Sequence, residues 1–149
     1  MPRETVEWSS SGGESNNAQQ GISMAIKLAW EDDALWLQFC GEWAWAEYDQ
    51  AVDDACTLLG EEARAICLVF NLLDGPIMPL EAVFTYLRRS ARVLKVEQLI
   101  VIGANASVKG LLYVFARTNA ALGWTPVFVY SPEEASSFLA SWRQRGGLA

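Results

Sequence analysis

The sequence predicts an α/β domain with a mixed sheet of about five strands, an antiparallel hairpin followed by parallel strands, and about four helices. Two segments of alternating apolar residues, separated by a short polar turn, indicate the hairpin. Later apolar runs alternate with segments at helical spacing, and this alternation favours parallel strands. The predicted domain spans residues 22–145. We expect the polar segment 1–21 to be a disordered tail and residues 146–149 to be frayed.

The predicted hairpin occupies Ser23–Trp30 and Ala34–Gly41, with the polar turn Glu31–Asp33 between its strands. In the first strand every second residue is apolar, which is typical of a half-buried strand, and in the second Leu35, Leu37 and Phe39 alternate. From residue 44 to residue 59 the apolar spacing changes to that of a helix. The uninterrupted apolar run Ala65–Leu72 then predicts a central strand that is covered on both faces.

The rest of the chain alternates helices with strands. Pro79 suits the first turn of a helix, and the apolar residues Leu80 to Ala91 repeat at helical spacing after it. Gln98–Gly103 predicts a second buried strand. The remaining predicted elements are a helix over 107–122 with Ser107 as its N-cap, a strand over 125–130, and a helix that Ser131 caps.

The composition excludes several kinds of chemistry. The 149 residues include no histidine, which removes histidine general acid–base catalysis, Ser–His and Cys–His nucleophiles, and His-ligated metal sites. Cys40, Cys56 and Cys67 lie in apolar stretches without CxxC spacing, so we expect buried, reduced thiols. No glycine motif for dinucleotides or nucleotide phosphates occurs. The sequence therefore predicts no catalytic residue, no cofactor and no metal.

The charge of the chain is unevenly distributed. The net charge of −7 disfavours a nucleic-acid partner. Residues 1–62 hold thirteen Asp or Glu against two Lys or Arg, whereas residues 63–149 hold nine Lys or Arg against five acids. Such asymmetry can orient partners or head-to-tail contacts, and an ordinary solvated surface is the alternative. We expect a cytoplasmic protein, because there is no apolar leader segment and no run of the roughly 18 apolar residues that a membrane span needs.

The order of the elements resembles that of the STAS family, which includes cytoplasmic domains of sulfate transporters and antagonists of anti-sigma factors. The resemblance covers residues 22–142 and is most evident in Leu68–Asp74, followed by Met78 and a helix. Gln98–Gly103 and Trp124–Tyr130 are similar in character to later strands of the family. The resemblance implies a regulatory module that acts through protein–protein contacts.

The resemblance also implies a difference in regulation. Signalling members of the family carry a phosphorylated serine at the start of the helix that follows the central strand. The matching segment Met78–Ala82 has no hydroxyl, and Thr85 lies about one turn further on. We therefore expect the phosphorylation switch to be absent. Glu81 would place a fixed negative charge in the first helical turn, or simply interact favourably with the helix dipole.

The candidate site is the segment that follows the central strand, because partners favour the carboxyl end of strands in α/β sheets. Its polar members are Asn71, Asp74 and Gly75, and we expect Ile77 and Met78 to be exposed or half-exposed. An interaction surface is one interpretation of this segment, and a plain turn is the other.

Two further groups of residues extend the candidate surface. Arg88 and Arg92 lie on one side of the next helix, and they can bind an acidic partner or form a solvated flank. Of Trp43 and Trp45, we expect one to enter the core and one to be exposed.

The functional prediction is a non-catalytic interaction module. Its partner is another protein or a second copy of the chain in a homodimer, with no nucleic acid and no membrane span. The alternative is a carrier or sensor that binds an apolar or lipid-like small molecule between sheet and helices.

Overall fold

The computed structural model describes residues 4–5, 25–31, 33–59, 65–75 and 77–145. The helices and strands of this part of the chain are β1 Glu4–Thr5, β2 Ile26–Glu31, β3 Ala34–Cys40, α1 Trp45–Leu59, β4 Ile66–Asp74, α2 Val83–Val93, β5 Val96–Ile102, α3 Ala106–Thr118, a short 3₁₀ helix Ala120–Leu122, β6 Val127–Val129 and α4 Pro132–Gln144. None of the helices in the described ranges has the length and apolar character that crossing a membrane requires.

All these strands form one sheet, in which strands adjacent in sequence are adjacent in space. β1, β2 and β3 pair antiparallel, and β3 to β6 pair parallel. The predicted α/β class, the hairpin and the parallel order are thereby confirmed. The two-residue strand β1 adds an edge that the sequence does not predict. Apart from it, the predicted tail 1–21 and the segment 146–149 lie outside the described residues.

The helices are divided unequally between the two faces of the sheet. Each parallel connection steps to the next strand in the same direction, so right-handed crossovers put α1, α2 and α3 on one face. This first face holds the larger core. On the second face the smaller core is covered by α4. Alternation along β3 supplies both cores, because Leu35, Leu37 and Phe39 point to the first face and Ala34 and Trp36 to the second.

The central strand β4 is buried on both faces, as its continuous apolar run predicts. Leu68 and Phe70 pack in the first-face core, and Cys67 and Val69 pack in the second-face core. Burial raises the pKa of the Cys67 thiol to about 12, which keeps this thiol protonated at neutral pH. All three cysteines are free, but Cys40 and Cys56 are only half-buried.

Ion pairs join the helices to their neighbours on both faces. On the first face, Arg89 of α2 donates to Asp49 and Asp53 of α1, at 2.7 and 2.9 Å. On the second face, Nε and Nη2 of Arg143 lie 2.8 and 2.7 Å from Oδ1 of Asp33. The second pair fastens the last turn of α4 to the turn of the hairpin.

A buried hydrogen bond lies between α1 and α2. The hydroxyl oxygens of Tyr48 and Ser90 are 2.6 Å apart, and Ser90 Oγ donates to the Leu87 carbonyl at 3.0 Å. Because a serine has one hydroxyl proton, Tyr48 is the donor to Ser90. Burial raises the pKa of Tyr48 well above its ordinary value.

Two helices begin at residues other than those predicted. α2 begins at Val83 rather than in the turn of Pro79, and Ala82 before it has a left-handed φ of 58°. α3 begins at Ala106, because Asn105 is its N-cap and accepts a 2.9 Å hydrogen bond from the Val108 amide. Asn competes equally with Ser at this position, so Ser107 lies inside the helix.

Candidate functional site

The candidate site is centred on residues 75 and 77–82, which lie between β4 and α2 and are called the β4–α2 loop. The loop leaves the carboxyl end of the central strand, as predicted. At Gly75 the chain passes so close to the hairpin that an added Cβ would lie 2.8 Å from the Phe39 carbonyl oxygen and 3.0 Å from that of Gly41. The neighbouring Asp74 carbonyl accepts from the Gly41 amide at 2.8 Å. Gly75 is therefore a packing residue, and no side chain fits there without moving backbone.

Met78 is buried, and the prediction that it would be exposed is wrong. Its side chain is 4% exposed and belongs to the first-face core. The loop turns back over that face after Gly75, and one apolar side chain is thereby carried inward. Burial of a methionine contributes about 1.5–3 kcal/mol, which holds the middle of the loop in place.

Both tryptophans at the start of α1 are buried, which corrects the expectation that one would be exposed. Trp43 and Trp45 are each 6% exposed. The Trp45 indole Nε1 donates to the Pro79 carbonyl at 2.9 Å, and its ring stacks on Tyr86 with centroids 5.4 Å apart. The Trp45 hydrogen bond is a second attachment of the loop, this time to α1.

Two apolar side chains project outward from the anchored loop. Ile77 is 72% exposed, in agreement with the prediction, and Leu80 is 68% exposed. Sequence reasoning missed Leu80, because it continues the helical apolar spacing that suggested a helix from Pro79. The later start of α2 leaves Leu80 outside the helix. Its position directly after a proline, before any good N-cap residue, is the signal that could have identified it.

The edge of the sheet around the loop is also apolar. Leu73 at the end of β4 is 48% exposed, and Tyr130 just after β6 is 72% exposed. Together with Ile77 and Leu80, they make up four of the eight exposed large apolar residues in the described part of the chain. These four residues are called the apolar edge. All four lie at the carboxyl end of a strand or in the loop that follows one.

The predicted polar members of the site make local contacts. Asn71 Oδ1 accepts from the Leu73 amide at 3.1 Å, and Asp74 Oδ2 accepts from Gln38 Nε2 at 3.1 Å. Glu81 is exposed in the turn before α2, so the expectation that its charge lies in the first helical turn is wrong. Asn71 and Asp74 thus stabilise the end of β4, while the Asp74 and Glu81 side chains are exposed beside the apolar groups of the loop.

The structure does not bring Arg88 and Arg92 to the loop. α2 runs from the carboxyl edge of the sheet towards the opposite edge, at about 1.5 Å per residue. Arg92 therefore lies about 13 Å along the helix axis from Val83. Both arginines are exposed, and Arg88 Nε donates to Asn119 Oδ1 at 3.0 Å. The predicted site thus separates into the apolar edge and a distinct basic surface.

One cavity in the core is too small for a small-molecule ligand. It lies on the first face of the sheet, where Tyr48, Ser90, Phe115 and Trp124 are among the residues that line it. Its volume of about 10 Å³ has room for about one water molecule. Ligand pockets usually measure hundreds of cubic ångströms.

In the described ranges, no group of three or more His, Cys, Asp or Glu side chains is arranged to hold a metal ion. Comparisons of the chain with protein-family models, curated proteins and solved structures find no match.

Proposed function

We propose that this chain is a non-catalytic regulatory module of the STAS type, which acts in the cytoplasm by docking a protein partner on its apolar edge. The observation that carries the proposal is the anchored β4–α2 loop. Gly75, Met78 and the Trp45–Pro79 hydrogen bond hold its backbone, while Ile77 and Leu80 project outward. A surface that is already ordered pays little entropy when a partner binds.

The exposed side chains are large enough to contribute measurable affinity. Full burial of an Ile or Leu side chain stabilises by about 1.5–3 kcal/mol. Since Ile77 and Leu80 are 72% and 68% exposed, covering both contributes about 2–4 kcal/mol. This is a factor of about 30 or more in the dissociation constant. The lack of histidine in the sequence supports a role in binding rather than in acid–base catalysis.

The STAS assignment rests on the fold order and on the position of the loop. An antiparallel hairpin leads into parallel strands, and the central strand β4 passes through a short loop into α2. We propose that apolar contact, rather than phosphorylation, governs docking, because residues 78–82 have no hydroxyl. Thr85 is exposed near the start of α2 and provides a direct control.

Affinity capture with quantitative mass spectrometry tests the proposal. The wild-type chain and an Ile77→Asp/Leu80→Asp variant serve as baits in an extract of the source cells. A partner should bind the wild type and be reduced at least about tenfold with the variant, since two apolar contacts are replaced by charges. Ala140→Asp is the matched control, because Ala140 is exposed on α4 across the sheet.

A second control addresses the proposed absence of the switch. Thr85→Glu, which adds negative charge near the start of α2, should capture the partner as well as the wild type does. Equal capture by the wild type and the doubly substituted loop would contradict the proposal. The proposal would also be contradicted if every captured protein bound the loop variant and Ala140→Asp equally.

A further inference from the structure

The helices of the first face carry opposite charges on their two flanks. α1 contains Glu47, Asp49, Asp53 and Asp54 and no basic residue. From residue 82 to 96, and again from 98 to 132, the chain has no Asp or Glu. Those two segments contain α2 and α3, and their basic residues are Arg88, Arg89, Arg92, Lys95, Lys109 and Arg117. The uneven charge of the sequence is therefore a spatial separation across three neighbouring helices.

Three of the arginines form a basic surface. The 3.0 Å bond from Arg88 to Asn119 brings the middle of α2 against the end of α3. Arg92 lies one turn after Arg88, and Arg117 is exposed two residues before Asn119. In the part of the chain that the structure describes, these three arginines form no ion pair with a carboxylate. Arg89 differs, since Asp49 and Asp53 already neutralise it.

The outer side of α3 continues this basic surface with apolar groups. Tyr113 and Val114 are 47% and 50% exposed and lie four and three residues before Arg117, on the outward side of the helix, where the Tyr113 ring also packs edge-on against Phe128 of β6 with centroids 5.2 Å apart. Gly110 is on this side too, and an added Cβ would meet nothing within 4 Å. Arg88, Arg92, Arg117, Tyr113 and Val114 are together called the basic flank.

α1 presents a surface of the opposite kind. Leu58 is 49% exposed one turn after Asp54, so an apolar side chain is bordered by a carboxylate. Asp54 accepts from Gln50 at 3.0 Å, and neither Asp54 nor Leu58 contacts a basic side chain in the described ranges. Asp54 and Leu58 are called the acidic flank. The acidic flank resembles the basic flank in composition, since each combines exposed apolar surface with charge of a single sign.

We infer that the chain associates with a second copy of itself head to tail, with the acidic flank of one copy docked on the basic flank of the next. Complementary charge orients the contact, and Leu58 packs against Tyr113 and Val114. Because the two surfaces are different, the contact is heterologous, and it generates a ring or an open chain rather than a two-fold dimer. The inference uses no residue of the apolar edge and does not depend on the partner proposed above.

Sedimentation velocity over a range of protein concentrations, at low and at high salt, tests the inference. At about 0.02 M salt charges interact over about 20 Å, and at about 0.5 M over about 4 Å. We expect the weight-average sedimentation coefficient to rise with protein concentration at low salt and to return to the monomer value at high salt. Association through apolar surface alone would show the opposite salt dependence, because salt screens the repulsion between chains of net charge −7.

Charge-reversal variants identify the two surfaces. Arg88→Glu/Arg92→Glu/Arg117→Glu reverses the charge of the basic flank. Asp54→Lys/Thr57→Lys reverses that of the acidic flank, since Thr57 is exposed one turn after Asp54. Each variant alone should be monomeric at low salt. An equimolar mixture of the two should associate again, because every contact between unlike variants pairs opposite charges.

Several results would overturn the inference. They are a wild type that is monomeric under all conditions, association that strengthens with salt, and a variant mixture that does not associate. Circular dichroism of each variant checks that it is folded. Ile77→Asp/Leu80→Asp should associate like the wild type, so failure of self-association and failure of partner docking are separate outcomes.

Discussion

Replacing Gly75 by alanine should destabilise the fold, although the same change is stabilising at many other positions. The added methyl carbon would lie 2.8 Å from the Phe39 carbonyl oxygen and 2.9 Å from its carbon, and these are backbone atoms of a central strand. Such overpacking costs about 1–3 kcal/mol. The alanine also lowers the entropy of the unfolded chain, which offsets about 0.4–1 kcal/mol. The steric effect is larger, so we expect a net loss of about 1–2 kcal/mol in the free energy of unfolding.

Gly110→Ala is the matched control for this substitution. Gly110 lies inside α3 with open space around its Cα, so alanine there should stabilise by about 1 kcal/mol. Urea unfolding, followed by circular dichroism, measures both free energies of unfolding, and the dependence on urea concentration should be the same for the two variants. A Gly75→Ala protein that is as stable as the wild type would refute the close approach of the loop to the hairpin. Stabilisation of both variants would refute it as well.

Two more predictions concern buried groups. Tyr48→Phe should lower the free energy of unfolding by about 1 kcal/mol, because it removes one hydrogen bond while Ser90 keeps its bond to the Leu87 carbonyl. Ser90→Ala should lower it by about 2 kcal/mol, because the buried tyrosine hydroxyl is left without a partner. A larger loss for Tyr48→Phe in urea unfolding would contradict this order. For Cys67, the unfolded thiol loses its proton near its ordinary pKa of 9.0, whereas the folded thiol keeps it up to about 12, so stability falls as the pH rises above 9. Between neutral pH and pH 10.5, the free energy of unfolding of the wild type should fall by about 2 kcal/mol more than that of Cys67→Ala. Identical pH profiles of the two proteins would exclude a buried thiol.

The order of the helices and strands was predictable because each element carries its own periodicity. The alternation in β2 and β3, and the continuous apolar run of β4, are local properties that survive in the folded chain. The start of α2 is different. Its apolar spacing extends back to Leu80, but the backbone of Pro79 is held by Trp45, which lies 34 residues earlier. A local pattern does not contain that tertiary contact.

The position of the β4–α2 loop at the end of β4 was predictable, but the exposure of its residues was only partly so. Ile77 and Met78 are neighbours of similar hydrophobicity, and nothing in the sequence distinguishes the exposed one from the buried one. Their assignment depends on the close approach at Gly75, which turns the loop over the first face. The distance between the apolar edge and Arg88 likewise depends on the direction of α2, which a local sequence pattern does not specify.

The unequal covering of the sheet has a consequence for the order in which the protein can fold. During synthesis, each strand from β2 onward can pair with the strand made just before it, so most contacts form between nearby segments. The second face is an exception. Arg143 meets Asp33 across 110 residues of chain, and Trp36, Val69 and Ile100 are not shielded by α4 until that helix has left the ribosome. The growing chain therefore passes through a stage in which the first face is covered by helices and the apolar second face is exposed to water. At that stage it is most vulnerable to aggregation.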